Sequence, residues 1–296
     1  MKGLKKLALA TAVAAAPFAA HAELKAMNDT AMGDVTGQAG VTIELETKVS
    51  IGQFKYTDEG SFAVNDIVLG GAGVTTGGAA AGYNDLLDQL KIDIDVQDDG
   101  DATIHVGTLD GNPIDWGMNV GSMELLAGNT GSDSTTLISN MSGWGNLARL
   151  DFRVDTATDH LNIQAAFDVQ DMDFDVEFLG VGIRDMKITG AGANFDYDGD
   201  GQTLAGGATT EFGIDTTTAA GQQQLGVLTQ FANVNLDVYK GNGLGASTAT
   251  DVLRVDVNNV VMDMSIGSIE IGGASIGSIA MDNLAITDTK LAIYGH

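Results

Sequence analysis

Beyond residue 40 the chain alternates. Val41, Ile43, Leu45, Thr47, Val49 and Ile51 are interleaved with Thr42, Glu44, Glu46, Lys48 and Ser50. A period of two sends successive side chains to opposite sides of a strand, so this segment specifies a strand with one apolar and one wet face. The pattern returns in Leu90–Val96, Leu150–Asp155, Phe174–Phe178, Leu236–Tyr239 and Leu253–Val257. Turn residues separate the runs, as in Asp58-Glu59-Gly60 and Asp98-Asp99-Gly100-Asp101. Many short strands punctuated by Gly and Asp predict an all-β fold. The expected form is an elongated, Gly-rich stack of short strands, solenoid-like or sandwich. Helix is expected only as a short N-terminal element over Met27–Gly37, with Tyr83–Leu90 as the other candidate.

Lys2, Lys5 and Lys6 precede an apolar stretch from Leu7 to Phe18, and Ala20-His21-Ala22 follows. This is the layout of a secretory leader cut after Ala22, and the apolar run is too short to span a bilayer. The expectation is a leader over 1–22, a single all-β domain over 23–296, and a location in the periplasm, on the outer-membrane surface or outside the cell.

Forty acidic residues face 14 basic ones, a net charge of −26. Loss of the leader's three lysines, with no acid, takes this to −29. A field of that sign repels nucleic acid and anionic headgroups, so neither is expected as a partner. Arg149 with Arg153, and Arg184 with Lys187, are the tightest basic groups. There is no cysteine, which removes disulfides, thiolate metal sites and cysteine nucleophiles. With 40 glycines and two prolines, turns carry the connections. Four stretches read as long loops: Gly70–Gly82, Ala127–Ser134, Gly190–Gln224 and Gly241–Thr250.

The C-terminal part holds an internal repeat. Ser265-Ile266-Gly267-Ser268-Ile269 recurs at Ser275-Ile276-Gly277-Ser278-Ile279. A ten-residue step fits one strand plus one turn, stacked rung on rung, as in a β-solenoid or at the edge of an antiparallel sheet or sandwich. From Met264 to Met281 the only charges are Glu270 near the middle and none at the ends, a nearly neutral β-prone stretch. Such a stretch is either covered as central strands or presents an edge for self-association over 264–281.

Asp196, Asp198 and Asp200, with Gly201 at the sixth position, match the start of a calcium loop, where a hard cation gathers six to eight oxygens. The twelfth position is Gly207 rather than glutamate, and an acidic turn explains the same residues. Asp98, Asp99 and Asp101 form a weaker copy. Asp171, Asp173, Asp175 and Glu177 place four acids on one strand face, where they are expected to spread into solvent. Gly273-Ala274-Ser275-Ile276-Gly277 fits the serine hydrolase elbow in letters only, because no helix pattern follows it. His105, His160 and His296 are isolated, so no zinc site is expected. No catalytic residue is assigned.

Glu23–Gly60 joins an acidic Met27-Asn28-Asp29 element, the string Val35-Thr36-Gly37-Gln38-Ala39-Gly40 and a Thr/Ile/Glu-alternating strand. It resembles an uncharacterised family of secreted proteins of Gram-negative bacteria, some labelled pilus-system components. The resemblance implies a structural surface or periplasmic role and carries no catalytic or binding residues. The reading is a non-enzymatic envelope or surface protein with a structural, adhesive or pilus-associated role, pairing with itself or with other envelope proteins. The alternatives are an outer-membrane β-barrel and a polysaccharide-active β-helix enzyme.

Overall fold

The structure, a computed structural model, describes residues 40–76, 82–128, 133–192, 204–207, 210–211 and 214–295. The expected leader cut, the Met27–Gly37 helix and the Asp196–Gly201 loop lie outside these residues. The chain is all-β. Its strands are β1 (Val41–Thr47), β2 (Val49–Thr57), β3 (Ser61–Gly70), β4 (Leu87–Val96), β5 (Ala102–Thr108), β6 (Ile114–Leu126), β7 (Thr135–Asp155), β8 (His160–Phe167), β9 (Asp171–Val176), β10 (Val181–Thr189), β11 (Thr210–Glu211), β12 (Ile214–Asp215), β13 (Ala232–Gly241), β14 (Val252–Ile271) and β15 (Ala274–Ile293). Among the described residues two α-helices accompany them, α1 (Gly73–Thr76) and α2 (Ala219–Gln230).

All strands except β11 and β12 join one 13-stranded antiparallel sheet. Their pairing reduces it to eight lines in chain order. β1 and β2 form the first, β3 and β4 the second, and β5 and β6 the third; β7 is the fourth. β8 and β9 form the fifth, β10 and β13 the sixth; β14 and β15 are the last two. β8 runs into β9 without leaving β7, because Asp168 N donates to Asn146 O and Gln170 N to Trp144 O. β10 and β13 both lie along β14, on either side of a long insertion.

A seam crosses the sheet where the composite lines are interrupted. Residues 71–86 enter line two there, residues 109–113 line three, and residues 190–231 line six. The core gathers along it: Ala72, Ile114, Ala166, Val169, Ala191, Phe231, Ala232 and Val261 are all buried. Helix α2 belongs to the line-six insertion. Thr218 caps it, its Oγ1 accepting from Gly221 N at 3.0 Å, and Phe231 ends it. Leu225 and Phe231 are its buried contributions. The first half of this helix, residues 219–224, lies in the stretch Gly190–Gln224 read as a loop. Its AAGQQQLGVLTQ sequence has weak periodicity and two glycines, and its stability comes from packing on the seam. The Tyr83–Leu90 helix is not formed; Leu87 onward is β4, paired with β1 and β5.

The strands are longer than the short strands the sequence reading expected, because they continue through residues whose backbone is turn-like. Asp66, Asn140 and Asp185 sit mid-strand with φ of 53°, 51° and 53°. Asp66 lies across from Gly52 and Gly121, and Asp185 across from Gly267. A Cβ on Gly121 would stand 3.0 Å from that of Asp66, and one on Gly267 2.9 Å from that of Asp185. A left-handed residue shifts the alternation by one. Astride this row the apolar residues fall three apart: Ile51 and Phe54, Val64 and Ile67, Val120 and Met123, Ile138 and Met141, Ile183 and Met186, Ile266 and Ile269. The internal repeat is part of the same row. Its two copies lie on opposite arms of the β14–β15 hairpin, turned at Gly272 and Gly273.

Candidate functional site

Register separates the two faces of the upper half of the sheet. One cross-strand row reads Val41, Ile94, Ile104, Phe152, Ile163, Leu236 and Val257. The neighbouring row, on the other face, reads Thr42, Asp93, His105, Asp151, Gln164 and Asn235. A second polar row reads Asp95, Thr103, Arg153, Asn162, Asp237 and Asp256.

On this polar face a depression of about 550 Å³ opens over β5, β7, β8 and β13. His105, Arg149, Asp151, Arg153, Asp155, His160, Asn162, Gln164 and Asp237 line it. Asp151 holds two of its donors: Oδ1 lies 2.5 Å from His105 Nδ1, and Oδ2 accepts from Arg149 Nε. Arg153 reaches back to Asp101, with Nε and Nη2 at 2.9 and 2.5 Å from Oδ2. The floor is a continuous hydrogen-bonded ladder. Asn162 Nδ2 donates to Asn235 Oδ1 and Asp237 Oδ1, each at 2.9 Å, and Asn258 Nδ2 donates to Asn235 Oδ1 and Asp237 Oδ2. At one side the His160 ring stacks on Tyr239, centroids 4.0 Å apart and planes 20° apart. Tyr239 is fixed in turn, its hydroxyl donating to Asp256 Oδ2 at 2.9 Å. Burial, and then Asp256, push the Tyr239 phenol above its ordinary value.

His105 and His160 read as isolated in sequence, yet both line one depression. The register that unites them spans β5 to β8, and no local signal carries it. Arg149 and Arg153 stood out in the sequence only as one of the two tightest basic groups, with no site assigned to them. Of the weaker acidic copy, Asp101 is committed elsewhere. It is 3% exposed, and it accepts from Thr156 N and Oγ1 as well as Arg153. Among the described residues no group of three or more His, Asp or Glu is placed to hold a metal. Of the four acids Asp171, Asp173, Asp175 and Glu177, the last three are engaged rather than spread into solvent. Asp173 accepts from Asp185 N, Asp175 pairs with Arg184 at 2.5 Å, and Glu177 accepts from Ser139. Ser275 of the elbow-like motif lies in β15, where Ser268 Oγ donates to it.

These contacts set an acid limit. The Thr156 backbone N–H and then Arg153 hold Asp101 below the usual carboxylate range; Asn140 and then Arg184 do so for Asp175; Thr42 and then Lys91 do so for Asp93. A depressed carboxylate stabilises the fold above its unfolded pKa of about 4, and that contribution disappears as pH falls through the folded value. Asp171 has the opposite sign. Burial, and then Asp173 and Asp185, raise it, so its ionised form opposes folding at neutral pH and its protonation relieves the strain. The melting temperature is therefore expected to fall below about pH 4. Asp171→Asn is expected to raise it at pH 7 and leave it unchanged at pH 3; equal shifts at both values would contradict this assignment.

Residues 1–98 match a family of unknown function (DUF6160), a match that ends just beyond β4. No curated protein and no solved structure matches the chain.

Proposed function

We propose that this chain is an exported, non-enzymatic protein of the cell envelope or surface, with a structural or adhesive role, and that it assembles through the edges of its sheet. The observation that carries this reading is the last line. β15 runs for 20 residues without proline and, among the described residues, is paired on one side only, and Ile276 is 63% exposed. β1 and β2 form the opposite edge, with Val41, Ile43, Leu45, Val49 and Ile51 all exposed. Rows of unpaired N–H and C=O groups this long template the addition of another strand, and natural sheets ordinarily blunt them. The first and eighth lines run in opposite directions. β15 of one copy and β1–β2 of the next therefore join antiparallel, a head-to-tail contact that grows into a filament unless it closes. The leader pattern supports export, and the acidity supports solubility outside the cell. The pilus-type role implied by the resemblance over Glu23–Gly60 is compatible with such growth.

The same layout favours a second reading. Eight antiparallel lines in chain order, apolar on one face and polar on the other, are also the arrangement of an outer-membrane barrel, in which β15 would close on β1–β2 of its own chain. No helix among the described residues is long and apolar enough to cross a membrane, which bears on helices alone.

Light scattering on the detergent-free mature chain over a range of concentrations separates the two. Assembly predicts mass rising with concentration. Ser278→Lys, on the exposed edge, stays folded and abolishes the rise. Ser268→Lys, on β14 between β10 and β15, instead lowers the melting temperature. A strict monomer at every concentration overturns assembly, and a chain that stays folded only in detergent establishes the barrel.

A further inference from the structure

We propose that the depression on the polar face is a binding site for a neutral, hydroxyl-rich oligosaccharide. A sugar hydroxyl is both donor and acceptor, so a saccharide site needs both kinds of group close together, on rigid supports. The lining interleaves them. Arg149, Arg153 and Gln164 present N–H groups, and Asp151, Asp155 and Asp237 present oxygens.

These groups are held in place before any ligand arrives. Arg149 is fixed through Nε, and among the described residues neither Nη group donates a hydrogen bond. His105 is fixed through Nδ1, and among the described residues its Nε2 makes no hydrogen bond. The amide ladder of Asn162, Asn235, Asp237 and Asn258 locks the floor. The site is also open: the side chains of His105, Arg149 and Arg153 are 51, 48 and 53% exposed. Its volume falls in the range of roughly 300–1,000 Å³ typical of small-molecule sites.

Two features select the ligand class. His160 lines the depression and is backed by the Tyr239 ring, so it offers a supported ring of the kind on which the C–H face of a pyranose packs. The charges of the lining nearly cancel, two arginines against three aspartates, in a chain where acids outnumber bases 40 to 14. A phosphate or polyanionic ligand would meet Asp151, Asp155 and Asp237 without a compensating excess of cations. A purely apolar ligand would leave the polar lining unpaired. A neutral saccharide satisfies both constraints. Asp151, clamped between a guanidinium and an imidazole, acts as an acceptor, and the site binds without cleaving.

The test is isothermal titration of the mature chain with maltohexaose, cellohexaose and hexa-N-acetylchitohexaose, with hexagalacturonate as the anionic comparison. At least one neutral hexasaccharide is expected to saturate the site below about 10 mM. Arg149→Gln and His160→Ala are each expected to weaken that binding at least about tenfold. The melting temperature of Arg149→Gln should stay within a degree or so of the parent, and Lys55→Gln on the lower half of the sheet should bind normally. The proposal is overturned if none of the neutral sugars saturates, if hexagalacturonate binds more tightly, or if both variants bind like the parent. Titration reads the depression and light scattering reads the edges, so the failure of either proposal leaves the other standing.

Discussion

Gly145→Ala is expected to lower the stability of this fold by about 3 kcal/mol, at the upper end of overpacking costs. Gly145 is buried in β7 at the seam. A Cβ placed on it would lie 2.2 Å from the carbonyl oxygen of Asp168 and 2.9 Å from its carbonyl carbon. The obstacle is backbone, and it cannot retreat. Asp168 N donates to Asn146 O at 2.8 Å, and Val169 N and O are both bonded to Ile188. Giving way means pulling lines four and five apart where β8 passes into β9. For a chain of this size the loss corresponds to a melting temperature lower by about 6–12 °C. Gly226→Ala in helix α2 is the control of opposite sign. Nothing stands closer than 4.0 Å to its added Cβ. Replacing a mid-helix glycine there is expected to stabilise by about 0.5–1 kcal/mol. Thermal melts of the two variants side by side check both signs, and a neutral Gly145→Ala would mean that the two lines do not meet as described.

Asp168→Ala carries the second large effect. Asp168 is 5% exposed and, among the described residues, pairs with no cation. It accepts from Asn146 N at 2.6 Å, from Asn146 Nδ2 at 3.1 and 3.2 Å, and from Gln170 Nε2 at 2.7 Å. Its removal leaves a buried backbone N–H and two amide groups without acceptors, and opens a small void. A loss of about 3 kcal/mol is expected, because each stranded donor costs about 1–3 kcal/mol when no partner replaces it. Asp168→Asn keeps one acceptor oxygen and is expected to lose about half as much. Denaturant midpoints order the three proteins as parent, Asp168→Asn, Asp168→Ala; the reverse order for the two variants would remove the acceptor role. Asp168 escaped the sequence reading because a lone Asp between two strands looks like a turn residue, and only the two-line contact reveals what it satisfies.

How much could be read beforehand follows from the range of each signal. Alternation is local, so the runs Val41–Ile51, Leu90–Val96 and Leu150–Asp155 fell where β1 with β2, β4 and β7 stand. Line length was misread for a physical reason. Asp66, Asn140 and Asp185 adopt the conformation that turns use, yet their strands continue through them. Helix α2 was missed because its burial, through Leu225 and Phe231, depends on the seam it covers. The depression lay out of reach for the same reason. His105 and Asp151 are 46 residues apart and meet only through β5–β7 register, whereas Arg149 and Arg153 stood out only as a basic group, with no site assigned to them.

Alternation by itself is degenerate, since sliding one strand past its neighbour by two residues restores every apolar contact and leaves the pattern unable to tell the correct pairing from its slipped copies. The left-handed row removes that degeneracy. Asp66 fits against Gly121; a two-residue slide would set it against Asn119 or Met123, both with a Cβ where only hydrogen fits. Asp185 against Gly267 repeats the constraint four lines further on. The row works like the notches of a key, and a sheet with so many near-equivalent pairings acquires from it a single frame in which to close during folding.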